Sequence, residues 1–236
     1  MSSPSGAQVG PGTDRSRDIP DATAARLSRY HRVLTEHPAF VGRSSVRSAD
    51  LAGAAGVDAS LLRRDLSFLG THGVRGVGYD TATLATLITQ ALGAHTAHRV
   101  ALFGVGHLGR ALAGYAGLAG QGFQLVALFD HDPSVVGGTV NGLTVLDIGT
   151  APEVLVRAGA TIGIITTPVA AAQQVADVLV AAGIGSVLNF APLVLDLPEH
   201  VHLRQVDLAL ELQMLAFHES RRGLEEPLSP TAQVPS

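Results

Sequence analysis

Apolar positions recur at helical spacing in the first third of the chain and as short unbroken runs beyond residue 98, and this change of period divides the sequence in two. Leu27, Tyr30 and Leu34 mark a helix to about Glu36, with Asp21 after Pro20 as its N-cap. Ser48 is expected to cap a short helix, Ala49–Ala55, that stops at Gly56. Asp58 caps the next, which runs to about Leu69 with Gly70 as its stop. The glycine-punctuated run Thr71–Gly78 suits a small hairpin or wing, and Thr81–Leu92 reads as a further helix before a short linker near residues 93–98. Strands are then expected at Val100–Val105, Phe123–Phe129, Thr161–Thr166, Ser186–Asn189 and Val201–Val206, with helices at Leu108–Leu118 and Val169–Ala182. No element is assigned between His131 and Ala160. A Leu-rich helix, Asp207–Arg222, belongs to no further strand–helix unit. Helix, short glycine turn and helix is a helix-turn-helix signature. Alternating apolar strands and helices imply a doubly wound parallel sheet.

The first strand of that sheet runs into Gly104-Val105-Gly106-His107-Leu108-Gly109, and Asp130 closes the next apolar run. Gly104 permits a tight turn, Gly106 lets the backbone approach a pyrophosphate, and Gly109 lets helix and strand pack closely. The following helix presents unpaired N–H groups and a positive dipole end to phosphates. An acid about 20 residues on can accept from a ribose 2′-OH and repels a 2′-phosphate, which favours NAD(H) over NADP(H). Strand, glycine triplet, helix and spaced acid together specify dinucleotide binding; the alternative is a Gly-rich turn in an unrelated α/β protein. In an open α/β sheet ligands sit at the carboxyl ends of strands, which nominates Thr167-Pro168 and Asn189-Phe190-Ala191-Pro192 for the nicotinamide side.

Composition narrows the chemistry. With 46% apolar and 15% charged residues the chain is compact and soluble in type, and no apolar run is long enough for a membrane span. The Ser/Gly/Pro-rich start has no apolar core of a signal peptide, so a cytoplasmic location is expected. Residues 1–20 and 223–236 have the composition of disordered tails. There is no cysteine, which excludes disulfides, thiol chemistry and Cys-based zinc sites; no other metal site is nominated. There is also no lysine, so Schiff-base catalysis, a phosphate-loop lysine and the Tyr-x-x-x-Lys pair are absent. Net charge is −4, but it is unevenly placed. Arg26 to Asp80 holds eight arginines against five acids, whereas Ala94 to Ser236 holds six against twelve. The basic character sits where a DNA footprint is expected.

At 100° per residue, Leu62, Leu66 and Leu69 form one stripe of the third helix. Ser60, Arg64 and Ser67 lie opposite, with Arg63 on the flank. That face suits a major groove, because arginine bridges guanine O6 and N7 and serine tolerates several partners. Arg63 and Arg75 are placed for phosphate. A solvated amphipathic helix with ordinary surface arginines reads equally well from charge and angle.

Arg63-Arg-Asp-Leu-Ser-Phe-Leu-Gly70, Arg75-Gly-Val-Gly-Tyr-Asp80, Gly104–Gly109 and Asn189-Phe-Ala-Pro192 occur in order. Over about Pro20 to Arg222 the chain resembles the Rex family of redox-sensing transcriptional repressors. The resemblance implies a winged-helix DNA-binding domain at 21–93, a Rossmann NAD(H)-binding domain at 94–206 and a domain-swapped dimerisation helix at 207–222. It implies a homodimer that binds double-stranded operator DNA and is released when NADH binds, with NAD+ competing. It also implies a redox switch, placed by motif position at Arg32, Tyr115 and Asp207; Tyr115 could equally be a core residue and Asp207 a helix N-cap. Departures from the family pattern are Arg64 where lysine is common, Val74 where a basic wing residue is common, His107 in the glycine loop, and Leu208 where some members carry an aromatic.

The competing reading is an NAD-dependent dehydrogenase. Only one helix and a tail follow the last expected strand, too little for a substrate domain, and none of the ten histidines sits with a carboxylate in a catalytic setting. A regulatory subunit that docks on protein rather than DNA is disfavoured by the basic helix-turn-helix.

Overall fold

The computed structural model describes residues 19–71, 73–74, 76–93 and 97–225, with backbone alone for residues 222–225. Most of both expected tails, and Arg75, therefore lie outside the described residues. The chain divides into two units, residues 1–96 and 97–236.

The first unit comprises α1 (Asp21–Glu36), β1 (Ser45–Val46), α2 (Ser48–Ala55), α3 (Ala59–Ser67), β2 (Tyr79–Asp80) and α4 (Thr81–Ala91). Each helix buries one stripe: Thr23, Leu27, Tyr30 and Leu34 of α1, Leu51, Ala52 and Ala55 of α2, Leu62, Asp65 and Leu66 of α3, and Thr81, Leu84 and Ile88 of α4. Phe40, Val46 and Tyr79 complete this core. β1 and β2 pair antiparallel, Ser45 with Asp80 and Val46 with Tyr79, and form the base of the wing. Val74 and Gly78 exchange both backbone hydrogen bonds at 2.8 Å within it. Sequence patterning gives no hint of β1, which is two residues long.

Three caps differ from expectation. Asp21 and Ser48 are the first helical residues; Pro20 and Arg47 occupy the N-cap positions without a side-chain hydrogen bond. α3 ends at Ser67, because Leu69 and Gly70 donate to Leu66 and Ser67 and tighten the chain into a turn. Asp58 caps α3 as expected, accepting from Ser60 N–H at 2.6 Å.

The second unit comprises β3 (His98–Phe103), α5 (His107–Ala113), α6 (Ala116–Gly120), β4 (Phe123–Asp130), β5 (Thr139–Val140), β6 (Leu143–Asp147), a 3-10 turn (Ile148–Thr150), α7 (Ala151–Ala158), β7 (Ile162–Ile165), α8 (Val169–Ala181), β8 (Ser186–Asn189), β9 (His202–Gln205) and α9 (Leu208–Glu225). The sheet runs β5-β6-β4-β3-β7-β8-β9, all parallel except the β5–β6 pair. From β6 to β9 this is the doubly wound order, with its switch point between β3 and β7. Alternate residues of β3 feed two cores. Ala101 and Phe103 pack with Phe129, Leu155, Val175 and Leu179; Val100 and Leu102 pack with Leu128, Val145 and Ile164. A sheet covered on both faces reads as unbroken apolar runs.

The helix expected over Leu108–Leu118 is broken in two. Gly114 is a weak helix former, and Tyr115 is extended, with φ −76° and ψ 104°. The unassigned stretch 131–160 holds β5, β6 and α7. Its hairpin turn, Asn141-Gly142, has φ of 49° and 77°, the two positive angles that a two-residue turn demands. Among the described residues no helix is long and apolar enough to cross a membrane.

Candidate functional site

Parallel strands bring the ends of β4, β3, β7 and β8 to one edge, and with them most of the nominated residues. Gly104 follows β3 with φ +93°, and its N–H donates to Phe129 O at 2.8 Å. A Cβ on Gly104 would sit 2.8 Å from the Thr166 carbonyl carbon, and one on Gly109 would collide with the Gly104 carbonyl oxygen. A Cβ on Gly106 would meet nothing within 4 Å. Two glycines are thus required by the fold, and the middle one faces open space, as an approaching pyrophosphate requires. Gly106 is the N-cap of α5 without a side-chain partner, so the first-turn amides of His107, Leu108 and Gly109 are offered to an anion. His107 and Leu108 are exposed there, and Val105 is buried beneath them.

Asp130, at the end of β4, accepts Val105 N–H at 2.6 Å through one carboxylate oxygen; the other accepts His131 N–H at 2.7 Å and Asp132 N–H at 3.0 Å. Its carboxylate first of all fixes the glycine loop, and fewer lone pairs remain for a ribose hydroxyl than the sequence suggests. Thr166 clamps the loop from the other side: its hydroxyl contacts Phe103 O at 2.8 Å and Gly104 O at 2.7 Å. The next hydroxyl, Thr167 Oγ1, is buried and has no hydrogen-bond partner in the protein. Thr167 N lies against Gly104 of the glycine loop, and a buried orphan hydroxyl there fits a site built for a polar ligand. Pro168 is exposed at the start of α8.

Asn189 is fully buried, and its polar atoms are occupied. Its side-chain N–H groups donate to Ala191 O at 3.1 Å, Leu193 O at 3.2 Å and Gln205 Oε1 at 2.8 Å, and its Oδ1 accepts Ala191 N–H at 2.9 Å. Asn189 therefore shapes the turn: Ala191 is buried with it, and half-buried Phe190 and exposed Pro192 present its surface. Gln205, which sequence reasoning missed, braces the same turn through Ala191 O at 2.6 Å.

In the first unit Ser60, Arg63, Arg64 and Ser67 share the exposed face of α3, opposite Leu62 and Leu66. Ser67 Oγ donates to Arg64 O at 2.6 Å, and Arg63 Nη1 donates to Ser48 Oγ at 3.3 Å. Arg75 lies outside the described residues. The buried face holds a charge that the sequence reading passed over. Asp65 is 1% exposed and receives Arg26 Nε and Nη2 at 2.7 Å each, the Tyr30 hydroxyl at 2.7 Å and the Thr23 hydroxyl at 3.2 Å. Burial alone would push this carboxyl up, but the hydrogen bonds from Arg26 and Tyr30 outweigh it and hold it below the usual carboxylate range. Burial and the bond to Asp65 push the Tyr30 phenol up. The network pins α3 to α1. Its one trace in the sequence is an acid, Asp65, on the helical stripe of Leu62, Leu66 and Leu69.

Of the three switch residues, Arg32 is exposed on α1 in the first unit. Tyr115 is exposed between α5 and α6, its ring lying over Gly117. Asp207 caps α9, accepting Ala209 N–H at 2.9 Å and Leu210 N–H at 3.3 Å. Among the described residues no cluster of metal-ligating side chains occurs.

A helix-turn-helix unit and a dinucleotide-type sheet joined in one chain define a ligand-responsive transcription factor. Family models match each part: "Putative DNA-binding protein N-terminus" over residues 18–67 and "CoA binding domain" over 95–193. The chain is 49% identical to the redox-sensing transcriptional repressor Rex of Streptomyces coelicolor over 223 residues, covering 94% of this chain and 85% of that one. It is 43% identical to Rex of Desulfitobacterium hafniense, covering 86% and 97%. Solved structures of RSP, a Rex-family repressor, are similar throughout. The complex with β-NAD+ and operator DNA gives a TM-score of 0.81 at 33% identity, covering 87% of this chain and 94% of that one. The complex with β-NADH gives 0.79 at 32%, covering 88% and 97%. The chain belongs to the Rex family of redox-sensing transcriptional repressors and is not a dehydrogenase.

Proposed function

We propose that this chain represses transcription by binding operator DNA through its helix-turn-helix unit, and lets go when NADH occupies the edge formed by β3, β4, β7 and β8. The observation that carries this is the joining, in one chain, of an exposed Ser60/Arg63/Arg64/Ser67 face to a glycine loop whose middle residue opens on free space. The match along almost the whole of RSP, solved with NADH and with NAD+ and operator DNA, supports the same pairing of ligands.

The domains divide at 21–93, 94–206 and 207–222, and the protein acts in the cytoplasm. The amides of His107, Leu108 and Gly109 take the pyrophosphate, Asp130 keeps the loop in shape beside the adenosine ribose, and Thr167, Pro168, Phe190, Ala191 and Pro192 line the nicotinamide side. The working form is a homodimer, and α9 is its exchanged element. Leu208, Leu210, Leu212, Met214, Leu215 and Phe217 of α9 are each between 51% and 65% exposed, an apolar surface that a partner copy would cover. Two α3 helices then read a pseudo-palindrome. Arg32, Tyr115 and Asp207 form the switch between DNA-bound and released states.

The test is an operator-release titration by NADH, with and without NAD+, and with NADPH as control. NADH is expected to release DNA, NAD+ to shift the midpoint upward, and NADPH to act only at much higher concentration. Release by none of them overturns the reading.

A further inference from the structure

A concavity of about 520 Å³ lies beside the exposed face of α3, between the start of α2 and the wing. Arg47, Ser48 and Arg63 line one side; Val74, Gly76 and Tyr79 line the other. The first wall is polar and basic, and Arg63 Nη1 reaches Ser48 Oγ at 3.3 Å across it. Gly73, Gly76 and Gly78 add no side chains to the second. Outside the lining, the Asp50 carboxylate meets Arg47 Nε at 3.2 Å. Arg47 keeps its other guanidinium donors, and its side chain is 73% exposed. Among the described residues that line the cleft, the charged groups are the guanidiniums of Arg47 and Arg63, so it is positive.

We infer that this cleft seats one backbone phosphate of the operator, held by Arg47 and Arg63 with the Ser48 hydroxyl. The inference rests on the operator-binding reading above. The cleft is continuous with the α3 face through Arg63, so a strand crossing the groove read by α3 meets it next. Its volume admits a phosphate and its sugar with room to spare, and arginine's planar fork matches two phosphate oxygens. A phosphate seat fixes register without reading sequence. Arg47 is therefore a positioning contact, distinct in its effect from Arg64 on the base-reading face. Asp50 competes with the phosphate for Arg47 and tempers the affinity.

The test uses the full-length protein and two labelled duplexes: one selected from a random library by the wild-type protein, and one with that sequence shuffled. Arg47→Ala is expected to weaken binding to both duplexes by the same factor, roughly 3–10-fold near physiological salt. It should also lower the slope of log affinity against log salt by about one. Arg47→Lys keeps the slope, and Asp50→Asn tightens binding to both duplexes. Arg64→Ala is the control; it narrows the gap between selected and shuffled duplexes. Unchanged affinity and slope in Arg47→Ala, with wild-type binding intact, overturn the inference alone, as does a loss confined to the selected duplex. Failure of the wild-type protein to select any duplex overturns the operator-binding reading, and this inference with it.

Discussion

Replacing Asp65 tests whether the buried network sets the stability and placement of α3. The side chain is 1% exposed and receives four hydrogen bonds, two from the Arg26 guanidinium at 2.7 Å. Asp65→Ala leaves that cation, the Tyr30 phenol and the Thr23 hydroxyl without their shared acceptor. Removing one partner of a buried pair costs about 3–5 kcal/mol. Arg26 keeps 24% of its side chain in water and can rehydrate in part, so the lower end, about 3 kcal/mol, is expected. A unit of this size shifts its melting temperature by about 4–8 °C per kcal/mol, so the fall is roughly 12–24 °C. The assay is urea unfolding followed by tyrosine fluorescence, which is selective because the chain has no tryptophan and both core tyrosines, Tyr30 and Tyr79, lie in the first unit. The triple variant Arg26→Met, Tyr30→Phe, Asp65→Leu removes the cation, the phenol and the carboxylate together, keeps only the Thr23 hydroxyl of the set, and should recover most of the loss, because apolar replacement of a buried ion pair is often neutral. The pH dependence has a fixed sign. Asp65 is held below its unfolded value, so its contribution is complete above about pH 5. It disappears as pH falls through about 3.9 toward the lower folded value. A loss below about 1 kcal/mol in Asp65→Ala, or a triple variant no better than the single one, refutes the argument.

Three further outcomes follow from the second unit. Gly106→Ala should leave melting in the absence of ligand within about 1 kcal/mol of wild type while lowering NADH affinity at least tenfold; Gly109→Ala should lower both, because its Cβ collides with the Gly104 carbonyl. Equal behaviour of the two in calorimetry and NADH titration would remove the pyrophosphate from Gly106. Asp207→Ala should lose discrimination between NADH and NAD+ in titrations, with a fall of about 1 kcal/mol in stability from the lost cap; unchanged discrimination removes Asp207 from the switch. Leu212→Glu with Phe217→Glu should shift sedimentation to the monomer, and a persisting dimer would take α9 out of the interface.

The doubly wound sheet was legible because its central strands carry apolar runs, as in Leu125–Phe129 of β4, covered on both faces. The segment 131–160 escaped because its strands are short and one partner, β5, has only two residues. Its Asn141-Gly142 turn was nevertheless a local signal for a hairpin. Glycine spacing pointed to the loop, but it could not divide the three glycines into two that the fold needs and one that opens outward. That distinction depends on how the loop folds Gly104 O back onto Gly109 and on Thr166, which arrives from the end of β7. Asn189 and Asp130 read as ligand groups from sequence, since a polar residue at a strand end looks the same whether it faces a ligand or a neighbouring backbone. The first-unit network was missed for the opposite reason. Asp65 stands among leucines on a buried stripe, where an acid is informative only once a partner, Arg26, is found one helix away.

A repressor that answers to a cofactor must turn a small chemical difference into a large conformational one. Moving a population from 99% DNA-competent to 1% requires a preference of about 10⁴-fold, roughly 5.5 kcal/mol, between the two states. NADH and NAD+ differ only in the charge and planarity of the nicotinamide, so residues near that ring must carry the difference. The turn at 189–192 is suited to transmit it because it is not a free loop. Asn189 holds Ala191 and Leu193, Gln205 holds both Asn189 and Ala191, and Val206 N–H donates to Asn189 O at 2.8 Å. The residue after Val206 is Asp207, which caps α9. A ring that displaces Phe190 or Pro192 therefore strains bonds whose other ends lie one or two residues from the α9 cap. A loosely held turn would absorb that displacement; one braced by a buried asparagine and a glutamine passes it to the helix proposed to join the two copies.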